Sequence, residues 1–188
     1  MKNKRLFSIA LAVLMTASAF SRTGDKLVSS KSHIKFYSHT AMEDIEANNY
    51  ASVSTLNTKT GDVVFSVPMQ GFEFENASMQ KHFNQEKFLD TKDHPKGKLV
   101  AKIANFDDID FSNDGVYEVI VEGNLTIKGT TKSLKEKGTV RVKDGIVSIE
   151  SKFPITLADY GISFAKGKPS TNIAKTVEVT VIGEYTAE

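Results

Sequence analysis

The sequence predicts an all-β domain, a sandwich or barrel of about eight strands. Three observations carry this. First, apolar and polar residues alternate with period two over most of the chain after Lys26, the spacing that turns one face of a strand inward and the other to water. Second, Gly61-Asp62, Asn113-Asp114-Gly115 and Lys143-Asp144-Gly145 punctuate these runs with strong turn chemistry. Third, only Asn76 to Pro95 departs clearly from the alternation, so no long helix is at hand to build an α/β core. There is no repeat and no low-complexity linker, and 188 residues suffice for one domain with a substantial core.

Residues 1–21 stand apart from this pattern. Lys2, Lys4 and Arg5 precede an apolar run from Leu6 to Met15, a length that suits a signal peptide and is too short to span a bilayer. Ala17-Ser18-Ala19 and Ala19-Phe20-Ser21 are small-x-small cleavage candidates. The expectation is a cleaved leader, 1–21, and an exported domain, 22–188, that is periplasmic or secreted. No second apolar stretch approaches the length of a membrane span, so stable membrane insertion is not expected. The chain has no cysteine. That excludes disulfides, thiol chemistry, Cys-ligated zinc and a lipid-anchor cysteine, and leaves the core alone to hold the fold. Without Lys2, Lys4 and Arg5, the 24 basic and 23 acidic residues become 21 and 23, a net charge of −2. Basic residues are scattered, which is no footprint for nucleic acid.

Lys31 to Ser38 alternates, with Ile34 and Phe36 on one side and His33, Lys35 and Tyr37 on the other. Asn49 to Thr58 is a weaker strand around Tyr50, Val53 and Leu56. Val63, Phe65 and Val67 share a face after Gly61-Asp62, and Pro68 marks an edge or a strand end. Phe72 and Phe74 lead into the break at Asn76. There Met79, His82 and Phe83, at i, i+3 and i+4, share one face of a short helix with Ser78 as its N-cap, and Pro95 closes the stretch. Such a helix needs an apolar surface, and one end of the β structure supplies it. Strands follow at Lys98–Phe106 and Val116–Val121. The stretch Gly123–Lys132 is expected to run from a strand end into the next strand through Gly129. Thr139–Val142 and Ile146–Leu157 form a hairpin across Lys143-Asp144-Gly145. Val147, Ile149, Phe153, Ile155 and Leu157 share its inner face. Asp159–Ile173 is a long connection, and Thr176–Tyr185 is the last strand.

Four of these segments together resemble the YceI-like family of lipid- or polyisoprenoid-binding domains. They are Ser32-His33-Ile34-Lys35-Phe36; Met79 to Pro95, with His82-Phe83, Phe88-Leu89-Asp90 and His94-Pro95; Val121-Glu122-Gly123-Asn124-Leu125-Thr126-Ile127-Lys128-Gly129-Thr130-Thr131-Lys132; and Val177 to Tyr185. The third is the most specific. Two departures stand out. Lys26-Leu27-Val28 takes the place of the family's aromatic opening, and Glu43 to Ser54 does not follow the commoner Gly-x-Phe pattern. The resemblance implies an extended eight-stranded antiparallel β-barrel, lipocalin-like, with a short helix near one end and a long apolar interior. It also implies a long-chain amphiphile, such as an isoprenoid, fatty acid or fatty amide, as ligand.

Phe36, Phe65, Met79, His82, Phe83, Phe88 and Phe153 are therefore the candidate cavity lining, with plain core packing as the alternative for each. His82 is read as a packed, hydrogen-bonded histidine, or else with Asn84 and Lys87 as a contact for a ligand headgroup. No cofactor is expected, and no catalytic residue. His33, His39, His82 and His94 form no His-x-x-x-His or Glu-x-x-x-His pair, so no metal site is assigned. Asp107, Asp108 and Asp110 read as a solvated turn, with weak cation binding as the alternative. Gly161-Ile162-Ser163-Phe164-Ala165 lacks the strand before and helix after that a nucleophile elbow needs. Asn76-Ala77-Ser78 and Asn124-Leu125-Thr126 match the glycosylation pattern, a match chance often supplies. The expected partner is a lipid-like small molecule, and a homodimer is left open. The competing reading is a filled barrel with a structural or interaction role at the envelope.

Overall fold

The computed structural model describes residues 25–162 and 173–186. The expected leader and Ser163-Phe164-Ala165 lie outside these residues. Among the described residues, ten strands and one α-helix make the fold: β1 (Lys26–His39), β2 (Asp44–Asn49), β3 (Val53–Asn57), β4 (Asp62–Pro68), β5 (Phe72–Phe74), α1 (Ala77–Asn84), β6 (Lys96–Ile103), β7 (Gly115–Ile127), β8 (Thr130–Lys143), β9 (Ile146–Thr156) and β10 (Thr176–Thr186).

Eight strands, β1, β3, β4, β6, β7, β8, β9 and β10, follow one another around a closed antiparallel barrel. Closure comes from β10 pairing back on β1, from Ser29 opposite Tyr185 to Tyr37 opposite Glu178. A closed barrel leaves no edge of unpaired backbone. The other two strands form a flap. The first turns of β1 pair with β3, Lys26 opposite Asn57 to Val28 opposite Thr55. Its second half pairs with β2, Ile34 opposite Asn49 to His39 opposite Asp44, and β5 adds to β2.

The sheet thus forks after Asn49, and the single strand expected over Asn49–Thr58 is broken there. Asn49 explains the break. It is fully buried, its Nδ2 donates to the Pro68 carbonyl at 2.7 Å, and its Oδ1 accepts from the Ala51 N–H at 2.9 Å. A buried amide left without such partners would cost about 1–3 kcal/mol. Phe72 and Phe74, expected only to lead into the helix, form β5. Pro68 ends β4, as its missing N–H dictates.

The hairpins follow the turn chemistry. Lys128 and Gly129 join β7 to β8 with φ of 47° and 74°, and Asp144 and Gly145 join β8 to β9 with φ of 51° and 79°. Two successive residues in this left-handed region make the turn whose twist matches antiparallel strands. Gly123 is not a strand end. It lies inside the continuous β7, where a β-carbon would stand 2.3 Å from the Val100 carbonyl oxygen, so only glycine lets the β6 backbone approach this closely.

The barrel end away from α1 is filled by side chains. Leu56, Ile103, Val119, Val140 and Tyr185 are at most 1% exposed. Ile109 and Phe111, from the connection between β6 and β7, are buried at that end. Tyr185 hydroxyl and Ser54 Oγ share a hydrogen bond of 2.8 Å, which satisfies both groups inside an apolar layer. Burial pushes the Tyr185 hydroxyl up to about 12, against a small opposing effect of Ser54.

Candidate functional site

The other half of the barrel is hollow. Inward positions of β1, β4, β6, β7, β9 and β10 enclose a chamber of about 840 Å³, in the upper part of the roughly 300–1,000 Å³ range of small-molecule pockets. Ile34, Phe65, Leu99, Ile127, Ile155 and Val179 typify its wall, which is almost wholly apolar. Period-two alternation puts these side chains there, since every second residue of a barrel strand faces the lumen.

Helix α1 and the segment after it cover the mouth. The helix starts at Asn76, whose Oδ1 accepts the Ser78 N–H at 2.8 Å. Asn76, not Ser78, is the N-cap. At eight residues the helix needs tertiary packing to persist, and Phe83 is its only buried residue. The Phe83 ring is the hub of an aromatic cluster, with centroids 5.7 Å from Phe36, 5.4 Å from Phe72, 5.2 Å from Phe74 and 6.0 Å from Phe88, within the range of favourable ring pairs. Met79 is half-buried and His82 exposed, although both border the chamber. The shared buried face expected of Met79, His82 and Phe83 is thus reduced to Phe83, because the other two face an open mouth and not a wall. His82 is not the packed histidine that the sequence suggested.

After the helix, the Phe83 carbonyl accepts the Leu89 N–H at 3.2 Å. Thr91 Oγ1 donates to Asn84 Oδ1 at 2.9 Å, and Asn84 Nδ2 donates to the Gln80 carbonyl at 3.0 Å. Asn84 is therefore committed to local structure and does not border the chamber; the expected headgroup contact is corrected to a structural role. Lys128, at the β7–β8 turn, donates its ammonium to the carbonyls of Phe88 at 2.6 Å and Glu86 at 3.4 Å. This charge-assisted bond ties the cap to the barrel wall.

All seven residues proposed from the sequence, Phe36, Phe65, Met79, His82, Phe83, Phe88 and Phe153, border the chamber. The sequence reading missed Phe72 and Phe74 of β5, Met69 and Ile127. The Phe-x-Phe alternation was a usable signal for the first two. Polar side chains gather at the rim, among them Glu43, Asn76, His82, Gln85 and Lys87.

Displaced ionisation also occurs at sites away from the chamber. On the outer face at the β1–β2 turn, the Asp44 carboxyl is held low by a hydrogen bond from His39, 2.6 Å away, and by Tyr37. Asp44 in turn raises the Tyr37 hydroxyl. In the acidic loop, Asp110 accepts from Asn113 Nδ2 at 2.7 Å and the Ser112 N–H at 2.8 Å, which lower its carboxyl. The loop is a turn that satisfies its own carboxylate. Among the described residues no three His, Asp or Glu side chains come together as metal ligands would, and no helix is long and apolar enough to cross a membrane.

A closed antiparallel barrel with an apolar chamber under a short helical cap is a barrel built to enclose space and not to fill it. The sequence profile of the YceI-like domain matches residues 26–185, and the chain belongs to that family. Among solved structures, the chain is similar to a polyisoprenoid binding domain from Saccharophagus degradans, implicated in plant cell wall breakdown, at 13% identity and a TM-score of 0.73, covering 87% of this chain and 99% of that one. BcnA of Burkholderia cenocepacia matches at 17% identity and a TM-score of 0.68, over 82% and 96% of the two chains. The YCEI protein of Campylobacter jejuni matches at 16% identity and a TM-score of 0.55, over 74% and 82%. At these identities the likeness shows the fold. A comparison with curated proteins finds no match.

Proposed function

We propose that this protein holds a long-chain amphiphile, an isoprenoid, fatty acid or fatty amide, with its tail in the chamber and its headgroup at the rim. The carrying observation is the 840 Å³ apolar chamber beneath the Phe83 cluster. Family membership and the polyisoprenoid binding of the Saccharophagus degradans domain support the same reading. Binding needs no charged contact along the tail, because each buried methylene contributes roughly 0.8 kcal/mol. His82, Gln85 and Lys87 stand where a polar headgroup would meet water. The protein acts as a binding module in lipid transport, storage or envelope stress, and no residue is assigned to catalysis. The basic-then-apolar start and its small-x-small sites support removal of residues 1–21 and a periplasmic or secreted place of action.

The test is competition between a fluorescent fatty probe and unlabelled fatty acids, in the wild type and in Val179→Trp. Val179 borders the chamber from β10, and the larger ring takes up its space. The expected result is probe binding by the wild type, and its loss in the variant with an unchanged far-ultraviolet spectrum. A wild type that binds no probe overturns the proposal and favours the structural alternative.

A further inference from the structure

The chamber stops at mid-barrel, and the residues that stop it are identifiable. Phe65 stands opposite Leu99 across the β4–β6 ladder, and Phe153 stands opposite Val179 across the β9–β10 ladder, two residues before Val181. Phe65, Leu99, Phe153 and Val181 border the chamber from below. The same four form the roof of a second, much smaller void of about 20 Å³, which Ile149 and Leu134 also line. Such a void holds about one water-sized group. Beside Phe65 lie Ser54, opposite it across the β3–β4 ladder, and the Tyr185 hydroxyl that shares a hydrogen bond with Ser54.

The Phe65 ring spans the lumen from β4 toward β10. Its Cζ lies 3.2 Å from where a β-carbon of Gly183 would be, and the Tyr185 hydroxyl lies 3.0 Å from the same point. Glycine at 183 leaves room that a β-carbon would take from both side chains. Phe65 is 3% exposed and Phe153 4%, so both side chains are held by the surrounding core between the two voids.

We infer that the Phe65–Phe153 floor sets the length of tail this protein accepts. The ligand is then an amphiphile whose tail ends at mid-barrel, not a long polyisoprenoid running the full barrel. The inference rests on the amphiphile reading above and narrows its ligand class. A tail shorter than the chamber leaves apolar wall uncovered. A longer one must fold back or leave methylenes in water. Affinity should therefore climb by about fourfold for each added methylene until the tail meets the floor, and stop climbing there.

The experiment is competition of the fluorescent fatty probe with straight-chain saturated fatty acids from decanoic to docosanoic acid, using monomeric concentrations of each. Wild type, Phe65→Ala and Phe153→Ala are compared. The expected result is a chain length beyond which wild-type affinity stops rising, and a longer limit in both variants, whose truncated floor joins chamber and lower void. For the first acid past the wild-type limit, each methylene admitted should return its fourfold gain. Phe65→Leu is the fallback if the alanine variants do not fold, and it should move the limit in the same direction by less. Val181→Phe adds bulk to the floor and should shorten the limit. A wild type that binds the series, with one limit shared by every variant, overturns the floor while the amphiphile reading stands. A wild type that binds no member overturns both.

Discussion

Phe83→Ala tests how the cap is held. The ring is 6% exposed and makes four aromatic contacts at 5.2–6.0 Å. It is the only buried side chain of an eight-residue helix. Truncating Phe in a fully packed core costs about 3–5 kcal/mol. Phe83 also borders the chamber, where its site is less tightly filled than a closed core, so less than that, about 2 kcal/mol, is the expected loss. That free energy belongs to the cap, because no barrel ladder includes residues 77–84. The loss should therefore appear as local opening. Amide exchange in α1 should speed up by about thirtyfold, while β7, β8 and β9 keep their protection and the apo melting temperature changes little. Fluorescent-probe dissociation should accelerate with it. Hydrogen exchange read by mass spectrometry, segment by segment, separates the outcomes. Equal loss of protection across the barrel strands would show that Phe83 belongs to the global core. Unchanged exchange in α1 would show that the cluster does not hold the cap.

Two further predictions concern the barrel itself. Gly129→Val places a β-branched residue at φ 74° and its β-carbon about 3.0 Å from the His94 ring; the left-handed angle alone costs roughly 1–2 kcal/mol, so the melting temperature should fall by several degrees, and an unchanged melt would contradict the turn assignment. Tyr185 predicts an alkaline loss of stability. Below pH 10 both folded and unfolded states keep the proton. Between the ordinary value of 10.0 and the folded value of about 12, the unfolded chain releases it first, so stability falls as pH rises, by about 2–3 kcal/mol over the window. Denaturant melts of Tyr185→Phe should lack most of that slope, and an identical slope would mean the hydroxyl is not buried as described.

Much of the barrel was legible because one physical rule recurs in it. Val147, Ile149, Phe153, Ile155 and Leu157 alternate, and all five are buried. The two-residue turns at Lys128-Gly129 and Asp144-Gly145 follow from glycine's tolerance of positive φ. The flap was not legible. In β2 the inward positions are Ile45, Ala47 and Asn49, a small residue and a buried amide where alternation needs large apolar groups, and β5 is only three residues long. Both owe their existence to partners distant in sequence. Phe36, Phe65 and Phe153 border the chamber because period-two alternation turns them inward, whereas Met79, His82 and Phe83 were read from helical spacing. Asn84 was misplaced because a tertiary neighbour, Thr91, commits it to local structure, and His82 borders the chamber but is exposed at its mouth and not packed. No sequence rule separates a filled layer from a hollow one. Leu56 lies in packed core and Phe65 at the chamber floor, though both come from the same alternation.

Native mass spectrometry of the protein purified from its own cells tests the central claim most directly. The account predicts a chain shortened by the leader and carrying a single non-covalent adduct. The adduct's mass should fit one amphiphile with one tail, and mild activation should release it to leave folded apo protein. An apo mass alone from freshly isolated protein, under conditions that preserve other lipid complexes, would contradict the account.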